Sequence, residues 1–205
     1  MRNINTLRLH PSLYSTAKYV MEKYRTDISH CEHVLANAFE IAKLALPEAN
    51  LAHEPELNPD WQRLGMAALL HDIGHFVADK GHHKHSFYLI QQAEELRHLN
   101  TGLVEDVATL SWCHRKHAKR AWLDERFLGN WPLFQLSAIL RVADGLDRSH
   151  SGRVTVVDGK LQHDEFILEV NGLRKSEYEA LMDRKADAWK LAFHQSFDVR
   201  ILSTI

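Results

Sequence analysis

Apolar residues recur every three to four positions through most of this chain, so it reads as a helical protein. The spacing predicts a first helix over "SLYSTAKYVMEKYRT" and a second over "ISHCEHVLANAFEIAKLAL". In the second, Ile28, Cys31, Leu35, Ala38, Ala42 and Leu46 form one stripe, with Asp27 as N-cap and Pro47 as the stop. The proline-rich "PEANLAHEPELNP" reads as a loop. A third helix is expected from about Asp60 to near Gly74, a fourth after Gly81 and a fifth after Gly102, the last running through "CHRKHAKRAW". Another covers "LFQLSAILRVADGLDRSH", with Pro132 at its first position.

After Gly152 the period shortens. "RVTVV" and "LQHDEFILEV" predict a β-hairpin with Asp158–Gly159 as its turn. One helix over "SEYEALMDRKADAWKLAFHQSF" and a short strand, "DVRIL", follow. The expected fold is mainly α: a helical domain over residues 1–150, with a small strand–helix–strand extension over 151–205 packed on it.

Several polar side chains interrupt this pattern on its apolar side. "MAALLHDIGHF" runs from five apolar or small residues straight into His71 and Asp72. In the fifth helix Leu103, Val107 and Leu110 lead to His114; in the fourth, Leu96, Ala93 and Leu89 lead back to His85, with His82 a further turn back. Asp144 follows Ile139, Leu140 and Ala143, and His30 lies on the second helix. Burying such groups unpartnered costs about 2–7 kcal/mol each, and more for a charge. A divalent metal removes the conflict, because it compensates a buried carboxylate and takes neutral imidazole as ligand. A His/Asp donor set without thiolate suits Mn, Fe, Ni, Zn or, less well, Mg.

Composition narrows the setting. There are 25 Lys+Arg against 27 Asp+Glu, a net charge of −2, which gives no general attraction to DNA. No stretch approaches the ~18 apolar residues of a membrane span, and the N-terminus lacks a signal-type apolar region. Cys31 and Cys113 are far apart and read as reduced thiols, so a cytoplasmic location is expected. Homodimerisation is left open. The 15 histidines are the unusual number, and they cluster.

The motifs "HCEHV", "LLHDIGH" and "LRVADGLDRS" resemble those of the HD superfamily of metal-dependent phosphohydrolases. The likeness implies His30, His71, Asp72 and Asp144 as metal ligands; His33 is a rival for the first place, but His30 keeps the four-residue spacing to Val34. "LLHDIGHFVADKGHHKHSFYLI", "CHRKH" and "ILRVADGLDRSH" are similar to the C-terminal HD-type region of the exopolyphosphatase/guanosine pentaphosphate phosphohydrolase family. The actin-like ATPase-type domain that carries catalysis in that family is not within these residues, so any activity here must use the histidine-rich site. The resemblance further implies that His85 and His114 complete a two-metal site bridged by Asp72, with His75 beside it as a phosphate-contacting residue.

Positive charge surrounds these positions. Lys84, Arg115, Lys116, Arg148 and His82 are expected to contact substrate phosphates, although "HRKHAKR" also reads as a solvated helix end whose cations complement the helix dipole. Arg141 shares a face with Asp144 and Arg148, and Asp147 reads as a surface partner of Arg148. The function expected is hydrolysis of a nucleotide, guanosine polyphosphate or inorganic polyphosphate, with Asp72 and His75 at the chemistry. The alternatives are a non-catalytic phosphate-binding module, or a di-iron oxygenase, which some proteins of this pattern are.

Overall fold

The computed structural model describes residues 9–46 and 58–203. The described part is mainly α, with a small three-stranded sheet near the C-terminus. Pro47 and nearly all of the proline-rich segment lie outside the described residues.

Helices α1 (Pro11–Lys23) and α2 (Ile28–Ala45) come first, and the Asp27 side chain caps α2 by accepting the His30 N–H. Helix α3 (Pro59–Leu70) is buried over most of its length, since Trp61 to Leu70 meet α2 on one side and later helices on the others. Its C-cap is His71, and a 3-10 turn (Ile73–Phe76) follows Asp72, so the expected helix to Gly74 ends earlier. Helix α4 (His82–Gln92) is followed by a second 3-10 turn (Glu94–Leu96), α5 (Thr101–Cys113), the short α6 (Trp122–Glu125) and α7 (Trp131–Leu146). Asn130 caps α7 through the Leu133 N–H, with Pro132 in its first turn. Among the described residues no helix is long and apolar enough to cross a membrane.

Two glycines bring the elements round the site together. A Cβ on Gly74 would sit 2.1 Å from the His82 carbonyl oxygen and 2.4 Å from the Ser86 nitrogen, so only glycine lets the 3-10 turn lie against the start of α4. The Gly74 N–H is satisfied there by Ser86 Oγ at 2.9 Å. On Gly145 a Cβ would meet Leu181 at 2.4 Å and the Lys185 stem at 3.1 Å, so α7 and the helix above it approach closely.

Strands β1 (Thr155–Gln162) and β2 (Glu165–Asn171) form the hairpin, but its turn is not Asp158–Gly159, which lies inside β1. The chain reverses at His163–Asp164, whose φ values of +47° and +64° are what a tight two-residue hairpin turn requires. That register points Phe166, Leu168 and Val170 of β2 inward together. The single C-terminal helix expected is two, α8 (Lys175–Arg184) and α9 (Asp187–Phe193), and β3 (Ser196–Ser203) then pairs parallel to β2. The break falls where Asp187 is drawn to Arg141 and to the Ala118 N–H, both at 2.6 Å. Trp189 and the inward face of β2 join the same continuous core as the helices.

Candidate metal centre

Helix ends converge on Asp72. His30 projects from α2, His71 and Asp72 end α3, His82 begins α4, His114 is the C-cap of α5, and Asp144 lies near the end of α7. Asp72 Oδ2 lies 3.8 Å from His30 Nε2 and 3.6 Å from His71 Nε2, and both nitrogens face Asp144 Oδ1, at 3.7 and 3.8 Å. The other oxygen, Oδ1, lies 3.2 Å from His82 Nε2 and 3.5 Å from His114 Nε2, and those two nitrogens are 3.1 Å apart. One carboxylate thus divides the cluster into an inner set and an outer set. Two donors sharing an ion at about 2.0–2.2 Å each lie roughly 3–3.6 Å apart, close to these separations.

The buried Nε2 atoms of His30 and His71 have no hydrogen-bond partner. Left so, each costs about 1–3 kcal/mol. Their Nδ1 atoms, in contrast, are held: His30 Nδ1 by Asp147 Oδ2 at 2.9 Å, and His71 Nδ1 by the Ala68 carbonyl at 2.9 Å. His114 Nδ1 contacts the Ser111 carbonyl at 2.5 Å and His82 Nδ1 the Asp79 carbonyl at 3.2 Å. Fixing Nδ1 against an oxygen and presenting Nε2 is how proteins orient imidazoles toward metals. The donor set therefore fits divalent ions.

Protonation agrees with this. Burial pushes His82 down to about 4, despite the opposing pull of Asp72, and burial likewise holds His114 well below the ordinary histidine range. Burial opposes the charge of Asp72, but His71, His114 and His82 outweigh it and keep its carboxyl below the usual range. Asp144 is held low against its burial chiefly by Lys185. At neutral pH the outer set thus presents bare imidazoles and a carboxylate.

His85 is not brought to this cluster, and His82 stands in the place expected for it. Counting back from Leu96 carries the helical phase across a break: α4 ends at Gln92, and Ala93 is extended, with ψ 118°. The buried face of α4 is His82, His83, Ser86 and Ile90, which leaves His85 half-buried on its flank. His33 also stays outside, bonded to the Val154 carbonyl at 2.6 Å.

A cleft of about 270 Å³ opens over Asp72, with His75, Arg115, Asp144, Arg148 and His150 on its walls. His75 Nε2 is 3.7 Å from Asp72 Oδ2, and its Nδ1 is 2.7 Å from Asp79. Arg115 reaches His82 Nδ1 at 3.1 Å. Lys84 and Lys116 are exposed and do not line the cleft, and "HRKHAKR" is loop beyond the end of α5, not a helix end.

Three residues differ from expectation or were missed. Arg141 is fully buried and binds the carbonyls of Cys113 (2.8 Å) and Lys116 (2.7 Å) together with Asp187; it fixes the loop after His114 and faces no solvent. Asp147 is fully buried against His30, not on the surface with Arg148; its place one helical turn after Asp144 was the available signal. Lys185 pairs with Asp144 Oδ2 and donates to the His114 carbonyl at 2.9 Å. It comes from a helix end remote in sequence, and no local pattern marks it.

The family described as Ppx/GppA phosphatase, domain III, matches residues 14–199, which takes in every residue of this centre. No curated protein matches the chain.

Proposed function

Starting from a chain that belongs to the Ppx/GppA phosphatase domain III family, we propose that it is a metal-dependent phosphohydrolase of the HD type with a two-ion centre. Its substrate is a nucleotide, a guanosine polyphosphate or inorganic polyphosphate. The observation that carries this reading is the split of imidazole nitrogens between the two oxygens of Asp72. His30, His71, Asp72 and Asp144 would hold one ion, and Asp72, His82 and His114 the other, with His82 replacing His85. Divalent ions (Mn, Fe, Ni, Zn or Mg) would supply Lewis acidity toward phosphoryl oxygens and lower the pKa of a coordinated water.

The side chains do the rest. Arg115 and Arg148, both lining the cleft, bind phosphate oxygens through charge-assisted hydrogen bonds. Asp79 holds His75 so that Nε2 faces Asp72 and the cleft, where it can hold or deliver a proton. Lys185 pins one oxygen of Asp144, which leaves the other for the inner ion. The basic walls favour a phosphate ester or anhydride over the oxygenase reading. Two buried free cysteines suit a reducing cytoplasm, the location we adopt.

The test is phosphate release from nucleoside triphosphates, guanosine polyphosphates and polyphosphate with each of the five metals. Release by wild type and none by Asp72→Ala is expected. Binding of polyphosphate with no release under any metal would replace this reading with a non-catalytic phosphate-binding module.

A further inference from the structure

Two residues of the outer half, His114 and Arg115, sit where α5 runs out, and nothing local fixes that end. The last carbonyls of a helix have no N–H of their own helix to accept. No glycine follows closely to turn the chain; Lys116 instead takes φ +69°, a conformation that residues with a side chain rarely adopt.

The anchors come from far along the sequence. Arg141 Nη1 donates to the Cys113 carbonyl at 2.8 Å and Nη2 to the Lys116 carbonyl at 2.7 Å, so one guanidinium brackets His114 and Arg115. Nη2 also donates to Asp187 Oδ1 at 2.6 Å, while Asp187 Oδ2 accepts the Ala118 N–H at 2.6 Å. The Ala188 N–H, 2.9 Å from Oδ1, holds that carboxylate at the start of α9. Asp187 thus grips the loop directly at Ala118 and, through Arg141, at Cys113 and Lys116.

A buried ion pair gains little stability, because desolvation offsets much of the attraction. What the planar fork of Arg141 supplies is geometry, since it fixes the directions of the carbonyls it binds. The inner half does not share this support. His30 and His71 are held by Asp147 and the Ala68 carbonyl, and the His150 ring stacks on His30 with centroids 3.8 Å apart. We propose that Asp187 is a positioning residue for the outer half, acting through Arg141 and the Ala118 N–H to set His114 Nε2 toward the outer ion and Arg115 toward the cleft; this rests on the two-ion reading given above.

The test titrates Co(II) into the metal-free protein with a competing chelator and follows visible absorption in wild type, Asp187→Asn and Arg141→Lys. Asparagine keeps the shape of the side chain but not its charge, and lysine keeps the charge but not the fork. Both variants are expected to bind the outer Co(II) roughly tenfold or more weakly, with an altered spectrum, while the inner ion keeps its wild-type affinity. With Co(II) filling both sites, Asp187→Asn should also weaken tripolyphosphate binding in the wild-type chain but not in Arg115→Ala, because the two residues act as one unit. Additive losses would overturn the link to Arg115. Equal weakening of both ions, or loss of far-UV circular dichroism in both variants, would make these contacts a general support of the fold and overturn the proposal. Wild-type affinity and spectrum of the outer ion in both variants would overturn it alone, whereas absence of Co(II) binding by wild type would overturn the two-ion reading and this role with it.

Discussion

The inner and outer halves of the centre are built differently. His30 and His71 have side chains with 0% exposure, come from α2 and the end of α3 at the heart of the core, and are anchored by a buried carboxylate and a helix carbonyl. The outer donors lie toward the cleft: His82 is the first residue of α4, His114 the cap of α5, and beside them His75 lies in a 3-10 turn with 40% of its side chain exposed. Packing fixes the inner half. The outer half faces the cleft, which His75, His82 and His114 line and His30 and His71 do not. The inner ion is accordingly expected to be the tightly retained one and the outer ion the one that meets substrate.

Removing the shared residue gives the largest effect. Asp72→Ala should lose both ions and all phosphate release, with helical circular dichroism retained, because its side chain makes no capping hydrogen bond to the 3-10 turn it begins. Collapse of the helical signal would instead make the His-Asp pair a folding element.

The next test separates the halves. His71→Ala should lose the inner ion, His82→Ala or His114→Ala the outer one, and His85→Ala neither, read as metal per chain. If His85→Ala removed an ion and His82→Ala did not, the start of α4 would have to be re-registered.

A smaller change probes the inner anchor. Asp147→Asn keeps the shape but not the charge behind His30, and should weaken the inner ion roughly ten- to a hundredfold while leaving the outer one alone. On the outer side, Arg115→Ala should keep both ions and cost about 1.5–3 kcal/mol of substrate interaction, ten- to a hundredfold in affinity. That loss should grow with the number of phosphates and shrink at high salt, whereas Lys84→Ala should change little.

The weakest expected effect concerns the chain that carries His150 over the inner half. Arg153 bonds Ser149 and Ser151 and pairs with Glu177 of α8, tying this stretch down. Burial raises the Glu177 carboxyl, but Arg153 and the Arg174 N–H outweigh it and hold it below its ordinary value. Its stabilisation is thus present above the unfolded-state pKa, near 4.3, and is lost as pH falls through the lower folded value. Glu177→Gln should lower stability by about 1 kcal/mol at pH 7, a few degrees in melting temperature, and remove that part of the acid dependence.

The same contrast explains what could be read from the chain alone. Helical periodicity through "MAALLHD" and "ILRVAD" puts His71 and Asp144 on inward faces, and the family likeness singles out His30; the fold buries His30 and His71 and half-buries Asp144. His114 was legible for the same reason. The choice of His85 failed because the apolar count crossed the break at Ala93, a break no residue there announces. Asp147 was misread because a charged neighbour, Arg148, offered a plausible surface partner, while its true partner is 117 positions away. Lys185 depends on the close approach of α8 to Gly145, which is a property of the packed fold. The hairpin turn moved from Asp158–Gly159 to His163–Asp164 because burial of Phe166, Leu168 and Val170 set the register.

Metal content bears most directly on the central claim. Wild type, reconstituted under anaerobic conditions with each candidate metal and freed of excess, is expected to carry two ions per chain, and His82→Ala one. A wild-type value of one that His82→Ala leaves unchanged would contradict the division of the centre across Asp72, and a value of zero with every metal would contradict the centre itself.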